Sequence, residues 1–382
     1  MTTCTIETHR LPAANMANTR TLKILRYGSG NNRPKAYIQA GLHADEAPGY
    51  LVMHHLTEAL DAIDAEGGIK GEVVVVPAAN PIGVSQWRDD RLQGRFNFSD
   101  GVNFNRRYPD LAATVADGVQ DRLGGDADAN IRLIREAFGR ALEEVQAVDE
   151  AAHLKRKLML AAHDADIVLD LHCDGQAVMH IYVGTSLWPS ARDLSAWLGA
   201  EATLLADDSG VTPFDEACSR IWWTLAARFP DHPVPPACLA ATVELRGQTD
   251  LSHALAAEDA GNIVRFLAGR GLVQCKTEPV EPPALKHEAT PLRAVEHVKA
   301  PAPGVVVYRK QPGDMISAGE VVAEVVNPLP SESAERIHAL RAAADGLLFA
   351  RSADRFARPG RILAKIAGRT PLRAEGENLL TP

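Results

Sequence analysis

The chain has 382 residues, more than one compact core usually holds, so we expect one large domain and one small one. With 46% hydrophobic and 23% charged residues, its composition is that of a globular protein and excludes a fibrous or disordered chain. The formal net charge is −9 and the sequence has no long basic run, which argues against nucleic acid as a partner.

Membrane and secretion signals are not found in the sequence. It contains no run of about 18 apolar residues that could cross a bilayer, so no membrane partner is expected. The first twenty residues lack the apolar core of a secretion signal, which predicts a cytoplasmic protein. The five cysteines are widely spaced and form no Cys-x-x-Cys pair, so we expect them to be reduced thiols.

Short apolar runs that predict buried strands alternate with helical patterns along most of the chain. Residues 47–64 have the spacing of one helix, and residues 130–165 that of one or two long helices. This alternation predicts an α/β layer fold with a largely parallel sheet, in which ligands bind at the carboxyl ends of strands. The runs are KAYIQAG (35–41), EVVVVPAA (72–79), ADIVLDLH (165–172), AVMHIYVG (177–184) and AATVELRG (240–247).

The character of the sequence changes after residue 275. Residues 276–292, KTEPVEPPALKHEATPL, are rich in proline and charge and predict a linker. Two similar segments follow, APGVVVYRKQPGDMISAGEVVAEV and ADGLLFARSADRFARPGRILAKI, and they predict a small all-β domain built from a duplicated motif. The pattern resembles the lipoyl and biotinyl carrier fold. Because no lysine lies at the expected hairpin tip, we do not predict a carrier function.

His43 and Glu46 follow the first buried strand, in the stretch AYIQAGLHADEAPGY. A histidine and a glutamate three positions apart on a tight turn can both reach one cation, and zinc accepts imidazole nitrogen and carboxylate oxygen as ligands. Gly41 precedes them, where the backbone must turn off the strand. A polar loop after a strand can also contain such a pair, so the pair alone leaves both interpretations open.

His172 is the candidate for a third ligand, at the end of the apolar strand in DADIVLDLHCDG. Side chains alternate along a strand, so Asp170 and His172 lie on the same side. Asp170 could then orient a ligand imidazole by accepting a hydrogen bond from its N–H. The alternative is that His172 is a core histidine satisfied by backbone groups and that Asp170 caps a helix.

A polar segment rich in arginine follows Asn80-Pro81, and it contains the pair Asn105-Arg106. A guanidinium group donates two parallel hydrogen bonds to a carboxylate and an amide adds a third, so this pair suits a substrate carboxylate. The alternative is an ordinary surface loop, since loops are polar.

Glu244 lies within the apolar run ACLAATVELRG. A carboxylate in such a strand is costly unless it has a partner. Beside a metal-activated water, a glutamate can act as general base and then as acid toward the leaving amine. Arg246 is expected on the same face, so a structural ion pair between the two residues is the alternative.

Taken in order, these motifs resemble the succinylglutamate desuccinylase and aspartoacylase family, which is related to the zinc carboxypeptidases. The resemblance covers roughly residues 30–270. It implies a three-layer α/β/α catalytic domain with a mixed sheet (1–280) and a small barrel-sandwich-like β domain (281–382) that narrows the cleft. The motifs are GLHADE, NPIG, GRF, NFNR, VLDLH and TVELRG.

The resemblance also implies roles for individual residues and a zinc cofactor. The zinc ligands would be His43, Glu46 and His172. The residues that hold the substrate carboxylate would be Asn105 and Arg106, and the catalytic glutamate would be Glu244.

Three positions fit the family pattern less directly. Arg95 in QGRF best matches the arginine that polarises the scissile carbonyl, with Arg88 as the rival. Ala44 replaces the family's usual glycine, which is a mild departure because alanine is small. Tyr308 is a candidate for the family's substrate-contacting tyrosine, although it could equally serve packing.

The function predicted from these residues is a zinc-dependent amidohydrolase that deacylates a small N-acyl amino acid. The alternatives are a zinc carboxypeptidase acting on short peptides and a non-catalytic carboxylate-binding relative. We expect a small-molecule substrate and consider a homo-oligomer plausible. Trp222 and Trp223 are expected to lie in the core or in the pocket wall. His54 and His55 are expected to lie on the helix that follows the turn with His43 and Glu46, and not to bind the metal.

Overall fold

The computed structural model describes residues 3–30, 32–275, 281–329, 336–374 and 377–380. The first strands and helices along the chain build a layered α/β region. Its strands are β1 (Thr5–Arg10), β2 (Thr21–Tyr27), β3 (Lys35–Ala40), β4 (Glu72–Val76), β5 (Trp87–Arg88), β6 (Arg91–Leu92), β7 (Ile167–Asp174), β8 (Gln176–Ala177), β9 (His180–Val183), β10 (Ala202–Leu205), β11 (Leu239–Gly247) and β12 (Thr290–Pro291). Its helices are α1 (Ala47–Ala65), α2 (Ala112–Val119), α3 (Ala127–Glu144), α4 (Glu150–Ala162), α5 (Trp188–Leu198), α6 (Phe214–Arg228) and α7 (His253–Gly269).

The large sheet of this region is mixed, with a parallel centre. Nine strands follow the order β1-β2-β4-β3-β7-β11-β9-β10-β12. The four neighbouring strands β4, β3, β7 and β11 run parallel to one another. Strand β9 runs antiparallel to β11, and β2 runs antiparallel to β4. Strands β3 and β4 are buried along their whole length, because helices cover both faces of the sheet. The predicted three-layer α/β/α fold is therefore confirmed.

The alternation of side chains in the central strands decides which face carries the polar residues. Leu169 and Leu171 of β7 pack in the core that α1, α5 and α7 cover, whereas Val168 packs against α2, α3, α4 and α6. Asp170 and His172 alternate with the two leucines and so lie on the α6 side of the sheet. The site is built on that face, near the carboxyl ends of the strands.

The helical region predicted at 130–165 is two helices. The side chain of Asp126 caps α3 by accepting hydrogen bonds from two backbone N–H groups, and the side chain of Asp149 caps α4 by accepting one from Ala152. Each cap satisfies N–H groups that would lack a partner at a helix start. Asp149 therefore starts a separate helix, α4, shortly after α3 ends at Glu144.

The C-terminal strands form two sheets that confirm the predicted duplication. They are β13 (Val295–Lys299), β14 (Gly304–Tyr308), β15 (Met315–Ile316), β16 (Val321–Val326), β17 (Ile337–Arg341), β18 (Gly346–Arg351), β19 (Phe356–Ala357) and β20 (Ile362–Ala367). One sheet has the order β13-β20-β18-β15 and the other β17-β16-β14-β19. The short middle strand of each repeat thus pairs with the first strand of the other repeat, which interlocks the two halves.

The two regions of the chain are joined by backbone pairing. Ala177 and Gln176 of β8 pair with Ala350 and Arg351 of β18. The strand β12, beyond the predicted boundary at residue 280, adds to the edge of the large sheet beside β10. Of the predicted linker, residues 276–280 lie outside the described residues.

Two further expectations concern the whole chain. Among the helices of the described residues, none combines the length and the apolar character needed to cross a membrane. The five cysteines are all unpaired, as predicted.

Candidate metal centre and active-site cleft

The structure brings His43, Glu46 and His172 together in the buried interior. The Nδ1 atom of His43 lies 3.0 Å from one carboxylate oxygen of Glu46, and the Nδ1 atom of His172 lies 2.8 Å from the other. The two imidazole rings have centroids 4.7 Å apart. One ligand atom from each residue lies within 4.8 Å of the other two, so the three side chains can share a single cation.

A sharp turn after β3 delivers the first two of these residues. Gly41 has a φ of +73°, and a Cβ at this position would lie 2.4 Å from the ring of Tyr50. Only glycine combines that conformation with that close approach. The chain then passes His43 and reaches Glu46, the residue immediately before α1. Asn80 holds the turn in place by donating a hydrogen bond to the carbonyl of Leu42.

A protein oxygen contacts the Nε2 atom of each imidazole, His43 and His172, and orients the ring. The Nε2 atom of His172 lies 3.0 Å from a carboxylate oxygen of Asp170, and the Nε2 atom of His43 lies 2.8 Å from the amide oxygen of Asn103. An N–H donated to either oxygen directs Nδ1 at the centre, where it can bind a metal once it carries no proton. Asp170 lies inside β7, so the helix-cap alternative is wrong. Asn103 is a residue that the sequence analysis missed.

The charges in this cluster shift the pKa values of its members. Burial opposes charge on His172, but Asp170 and Glu46 together raise its pKa well above the ordinary value. Burial and the neighbouring Arg95 lower the pKa of His43 to about 4. Burial also opposes charge on Glu46, yet the two histidines hold its pKa well below the ordinary value. Glu46 is therefore ionised and His43 neutral, which are the forms that bind a metal, whereas His172 carries a proton that metal binding would have to displace.

Of the two candidate arginines, only Arg95 reaches the cluster. One of its guanidinium nitrogens lies 3.1 Å from both Nδ1 of His43 and a carboxylate oxygen of Glu46. Its side chain is 41% exposed and lines the neighbouring cavity. Arg88 is 76% exposed, lies in the β5–β6 hairpin and faces Asp89. Gly94 allows this approach, because a Cβ there would meet the backbone nitrogen of Asp45 at 2.4 Å.

Asn105 and Arg106 line the same cavity. The amide oxygen of Asn105 accepts a hydrogen bond of 2.8 Å from the backbone N–H of Phe214, and its amide nitrogen lies 3.2 Å from His172. Arg106 donates to the carbonyl of Asn105 at 2.7 Å. Burial, with Arg95 adding to it, lowers the pKa of Arg106 to about 10, so the guanidinium is still charged near neutral pH.

Glu244 is the register neighbour of His172 in the sheet and lines the cavity. Its Oε2 atom has no hydrogen-bond partner among the described residues. Burial, and then the charges of Glu46 and Asp174, raise its pKa to about 8. A carboxyl in this state can both accept and release a proton near neutral pH.

The alternative ion pair between Glu244 and Arg246 is wrong. The register of β11 shifts between Glu244 and Gly247, and Arg246 has a φ of +64°. This irregularity turns Arg246 away from Glu244 to pair with Asp259 of α7, with Nη1 and Oδ1 3.2 Å apart. Simple alternation along the strand could not predict this.

The cleft is a cavity of about 660 Å³ that both regions of the chain line. The C-terminal strands contribute His297, Arg351 and Lys365 to its wall. The Nζ atom of Lys365 lies 2.5 Å from a carboxylate oxygen of Asp174, two residues after His172. The sequence analysis missed this contact, because nothing in either segment indicates that they meet.

Two acidic residues at the start of α6 also line the cavity and were missed. Burial and the charge of Asp170 raise the pKa of Asp215 to about 6. Burial and the charge of Asp215 raise the pKa of Glu216 to about 8. The backbone N–H of Ser209 donates to Glu216 at 2.9 Å. The sequence pattern of α6, PFDEACSRIWW, contains both carboxyls, but helix-start acids are common and give no hint of a cleft.

Tyr308 is packed outside the cavity lining. Its hydroxyl oxygen lies 3.0 Å and 2.8 Å from the carbonyl oxygens of Ser352 and Leu363, and its one hydrogen is shared between them. The guanidinium groups of Arg351 and Arg355 lie 4.6 Å and 4.8 Å from its ring. These contacts favour the packing interpretation. In the part of the chain that the structure describes, the tyrosine that lines the cavity is Tyr182.

The remaining predicted positions are structural or separate from the centre. Trp222 is fully buried in the core beside α3 and α4, and Trp223 is partly buried on the other face of the sheet. Neither lines the cavity. His54 and His55 lie on α1 and take no part in the His43 cluster.

The fold and the site together define a class: an α/β protein with a candidate metal centre and a free carboxyl in one cleft. The family model of the succinylglutamate desuccinylase/aspartoacylase catalytic domain matches residues 32–269, and the chain belongs to this family. A search of curated protein sequences gives no match.

Solved structures agree with this family. A Shewanella frigidimarina protein described as a succinylglutamate desuccinylase/aspartoacylase is 25% identical, with a TM-score of 0.85 over 96% of this chain and 98% of that one. A family member from Shewanella amazonensis is 27% identical, with a TM-score of 0.84 over 95% and 98%. The product-bound ectoine utilization protein EutE (DoeB) of Ruegeria pomeroyi, at 17% identity, shares the fold with a TM-score of 0.64 over 96% and 95%.

Proposed function

We propose that the protein is a zinc-dependent deacylase that hydrolyses the amide of a small N-acyl amino acid. The observation that carries the proposal is the convergence of His43, Glu46 and His172, with Arg95 in contact and Glu244 on the same cavity wall. The products would be a carboxylic acid and a free amine.

The three converging residues fit zinc. Two imidazole nitrogens and one carboxylate form the ligand set of a catalytic zinc, which leaves one position open. The contacts from Asn103 and Asp170 direct both Nδ1 atoms to the centre. Zinc held there would act as a Lewis acid that acidifies a water molecule and polarises the scissile carbonyl.

Glu244 is proposed as the general base and acid. Its carboxylate takes the proton of the attacking water and then passes it to the departing amine nitrogen. The proposal is supported by its place beside His172 and by an oxygen that no described protein group occupies. Because its pKa is raised to about 8, the carboxylate is a stronger proton acceptor than an ordinary glutamate, and the departing amine, which is a stronger base still, can take the proton from it.

Positive charge is proposed to stabilise the reacting groups. The Arg95 guanidinium, fixed beside the centre, would stabilise the negative charge that develops on the carbonyl oxygen. Arg106, braced by the carbonyl of Asn105, would hold a substrate carboxylate, with the amide of Asn105 as a second donor. Substrates that carry a carboxylate near the scissile amide fit this arrangement best.

The C-terminal strands support a small substrate. They supply one wall of the cavity, and the ion pair between Lys365 and Asp174 ties that wall to the strand of His172. A long peptide would have to pass this wall, whereas an N-acyl amino acid fits within about 660 Å³.

A direct test compares N-acetyl and N-succinyl amino acids with dipeptides and longer peptides, using metal-free protein with and without added zinc. We expect zinc-dependent release of an amino acid from at least one N-acyl substrate. Faster hydrolysis of peptides would indicate the carboxypeptidase alternative. A protein that binds zinc and carboxylates but hydrolyses none of these amides would contradict the proposal and indicate a binding protein.

A further inference from the structure

A second cluster of histidine and glutamate side chains lies on the outer surface of α1. The Nε2 atom of His54 lies 3.4 Å from one carboxylate oxygen of Glu58, and the Nδ1 atom of His55 lies 3.4 Å from the other. One ligand atom from each of the three residues lies within 4.8 Å of the other two. The sequence analysis noted the two histidines, but the buried centre does not use them.

Helix geometry explains why these three side chains meet. Glu58 follows His54 by four residues and His55 by three, and both separations place side chains on one face of a helix. The side chains of His54 and Glu58 are 52% and 62% exposed, so a cation can approach from solvent. His55 is 18% exposed and lies deeper, at the contact between α1 and α7.

His253, at the start of α7, contacts the second ring nitrogen of His55. Its Nδ1 atom lies 3.0 Å from the Nε2 atom of His55, and the two rings are nearly perpendicular with centroids 5.2 Å apart. An N–H donated from Nε2 of His55 to His253 leaves Nδ1 of His55 unprotonated and facing Glu58. Metal-binding histidines are commonly held by such a contact to the second ring nitrogen.

We propose that His54, His55 and Glu58 form a second site for a divalent transition-metal cation such as zinc, with His253 as a positioning residue. The ligand atoms are Nε2 of His54, Nδ1 of His55 and a carboxylate oxygen of Glu58. Two imidazoles and one carboxylate suit zinc, and small side-chain rotations bring atoms separated by 3.4 Å to 4.8 Å into one shell.

This site is distinct from the buried centre. Glu46 immediately precedes α1, and His54 lies about 12 Å farther along the helix at 1.5 Å per residue. No residue is shared between the two clusters. A cation at the second site would connect α1 to α7 through the contact between His55 and His253, and it would raise the melting temperature as any ligand of the folded state does.

The test counts zinc per chain and measures its affinity by calorimetry, starting from metal-free protein and adding zinc chloride. For the wild type we expect about two zinc ions per chain, one for each cluster of three ligands. The double variant His54→Asn/His55→Asn should hold about one, with amide hydrolysis within about twofold of wild type, because it leaves the buried ligands intact. Glu58→Gln keeps the helix and both imidazoles, and should weaken binding at the second site.

Two further variants separate a metal site from a chance surface contact. His287→Asn is the matched control, because His287 is 47% exposed and lies 3.7 Å from Glu201, and no second imidazole of the described residues contacts it. It should leave both zinc ions bound. His253→Ala should keep the stoichiometry and lower the affinity of the second site about 10-fold to 100-fold.

The outcomes also distinguish this proposal from the proposed function. A wild type with about one zinc, unchanged in the His54→Asn/His55→Asn variant, would overturn the second site. A single zinc that this double variant removes would support the second site and contradict zinc at the buried centre. Circular dichroism of each variant confirms that lost binding is not lost folding.

Discussion

The two clusters of histidine and glutamate near α1 use the same residue types in opposite environments. His43, Glu46 and His172 are all buried, whereas His54 and Glu58 are more than half exposed. In the buried cluster each imidazole has its second nitrogen held by a protein oxygen, and the charges of neighbouring groups shift the pKa values. The same residue types therefore stand in two different environments, and burial and neighbouring charge distinguish the two clusters.

Burial also explains why removing one side chain should cost more free energy in the buried cluster than in the exposed one. Removing one partner from a buried charged set leaves the others unpaired in a medium of low polarity, which is strongly unfavourable. In the exposed cluster, water replaces a lost partner. The following substitutions test this difference.

The largest effect is expected at a buried ligand. His172→Asn should reduce amide hydrolysis to background and remove the zinc of the buried centre, because the three-residue shell is broken. Metal analysis and a hydrolysis assay measure both. The same change at His54, on the surface, should leave hydrolysis intact. If His172→Asn kept its buried zinc, the ligand assignment would be wrong.

Glu244 should separate metal binding from proton transfer. Glu244→Gln keeps the shape of the side chain but cannot accept the proton of the attacking water. We expect kcat to fall about 10²-fold to 10⁴-fold while the buried zinc is retained. Turnover within a fewfold of wild type in a zinc-loaded variant would exclude the proposed role of Glu244.

Arg95 and Arg88 form a matched pair of one contacting and one exposed arginine. Arg95→Ala should lower kcat about 10²-fold to 10³-fold, because the developing oxyanion loses a fixed cation. Arg88→Ala removes a charge that is 76% exposed and should change the rate less than about twofold. Equal effects of the two substitutions would mean that Arg95 acts only through the net charge of the cleft.

The smallest expected effect concerns stability, and it depends on pH. Burial raises the pKa of Glu216 to about 8, so the folded state holds this proton to higher pH than the unfolded chain does. The unfolded state therefore loses its proton first, and the free energy of unfolding falls as pH rises from about 4 to about 8. Glu216→Gln should remove part of this fall, on the order of a few kcal/mol at most.

Urea unfolding at several pH values measures the effect of Glu216. The substituted amide keeps an oxygen for the backbone N–H of Ser209, which limits other losses. Glu258→Gln, at an exposed position of α7, is the control and should follow the wild-type pH profile. Parallel profiles for wild type and Glu216→Gln would show that Glu216 is ionised in the folded protein at neutral pH.

Much of the fold could be predicted because it depends on local patterns. The apolar runs at 35–41, 72–79, 165–172 and 240–247 each contain or overlap a strand of the large sheet, and the duplicated glycine and turn pattern marks the two halves of the C-terminal β structure. The run at 177–184 contains β9, but the antiparallel direction of this strand could not be predicted, because strand direction is set by which neighbours pair and not by the strand's own residues.

The site could be predicted only in part. His43, Glu46 and His172 follow strand-end patterns and match family motifs, so their convergence was expected. The ion pair of Lys365 with Asp174 and the contact of Asn103 with His43 join segments far apart in sequence. Such contacts have no periodicity or spacing that a single sequence could reveal.

By itself, the sequence determined the family, the alternation of strands and helices, and the residues able to bind a metal, because these depend on residue type and local spacing. Only the tertiary structure decided which arginine meets the centre, where Arg246 turns, and which cluster of histidines is buried. Those features depend on backbone conformation and on distant segments packing together, and a buried charged group is stable only where that packing supplies its partners.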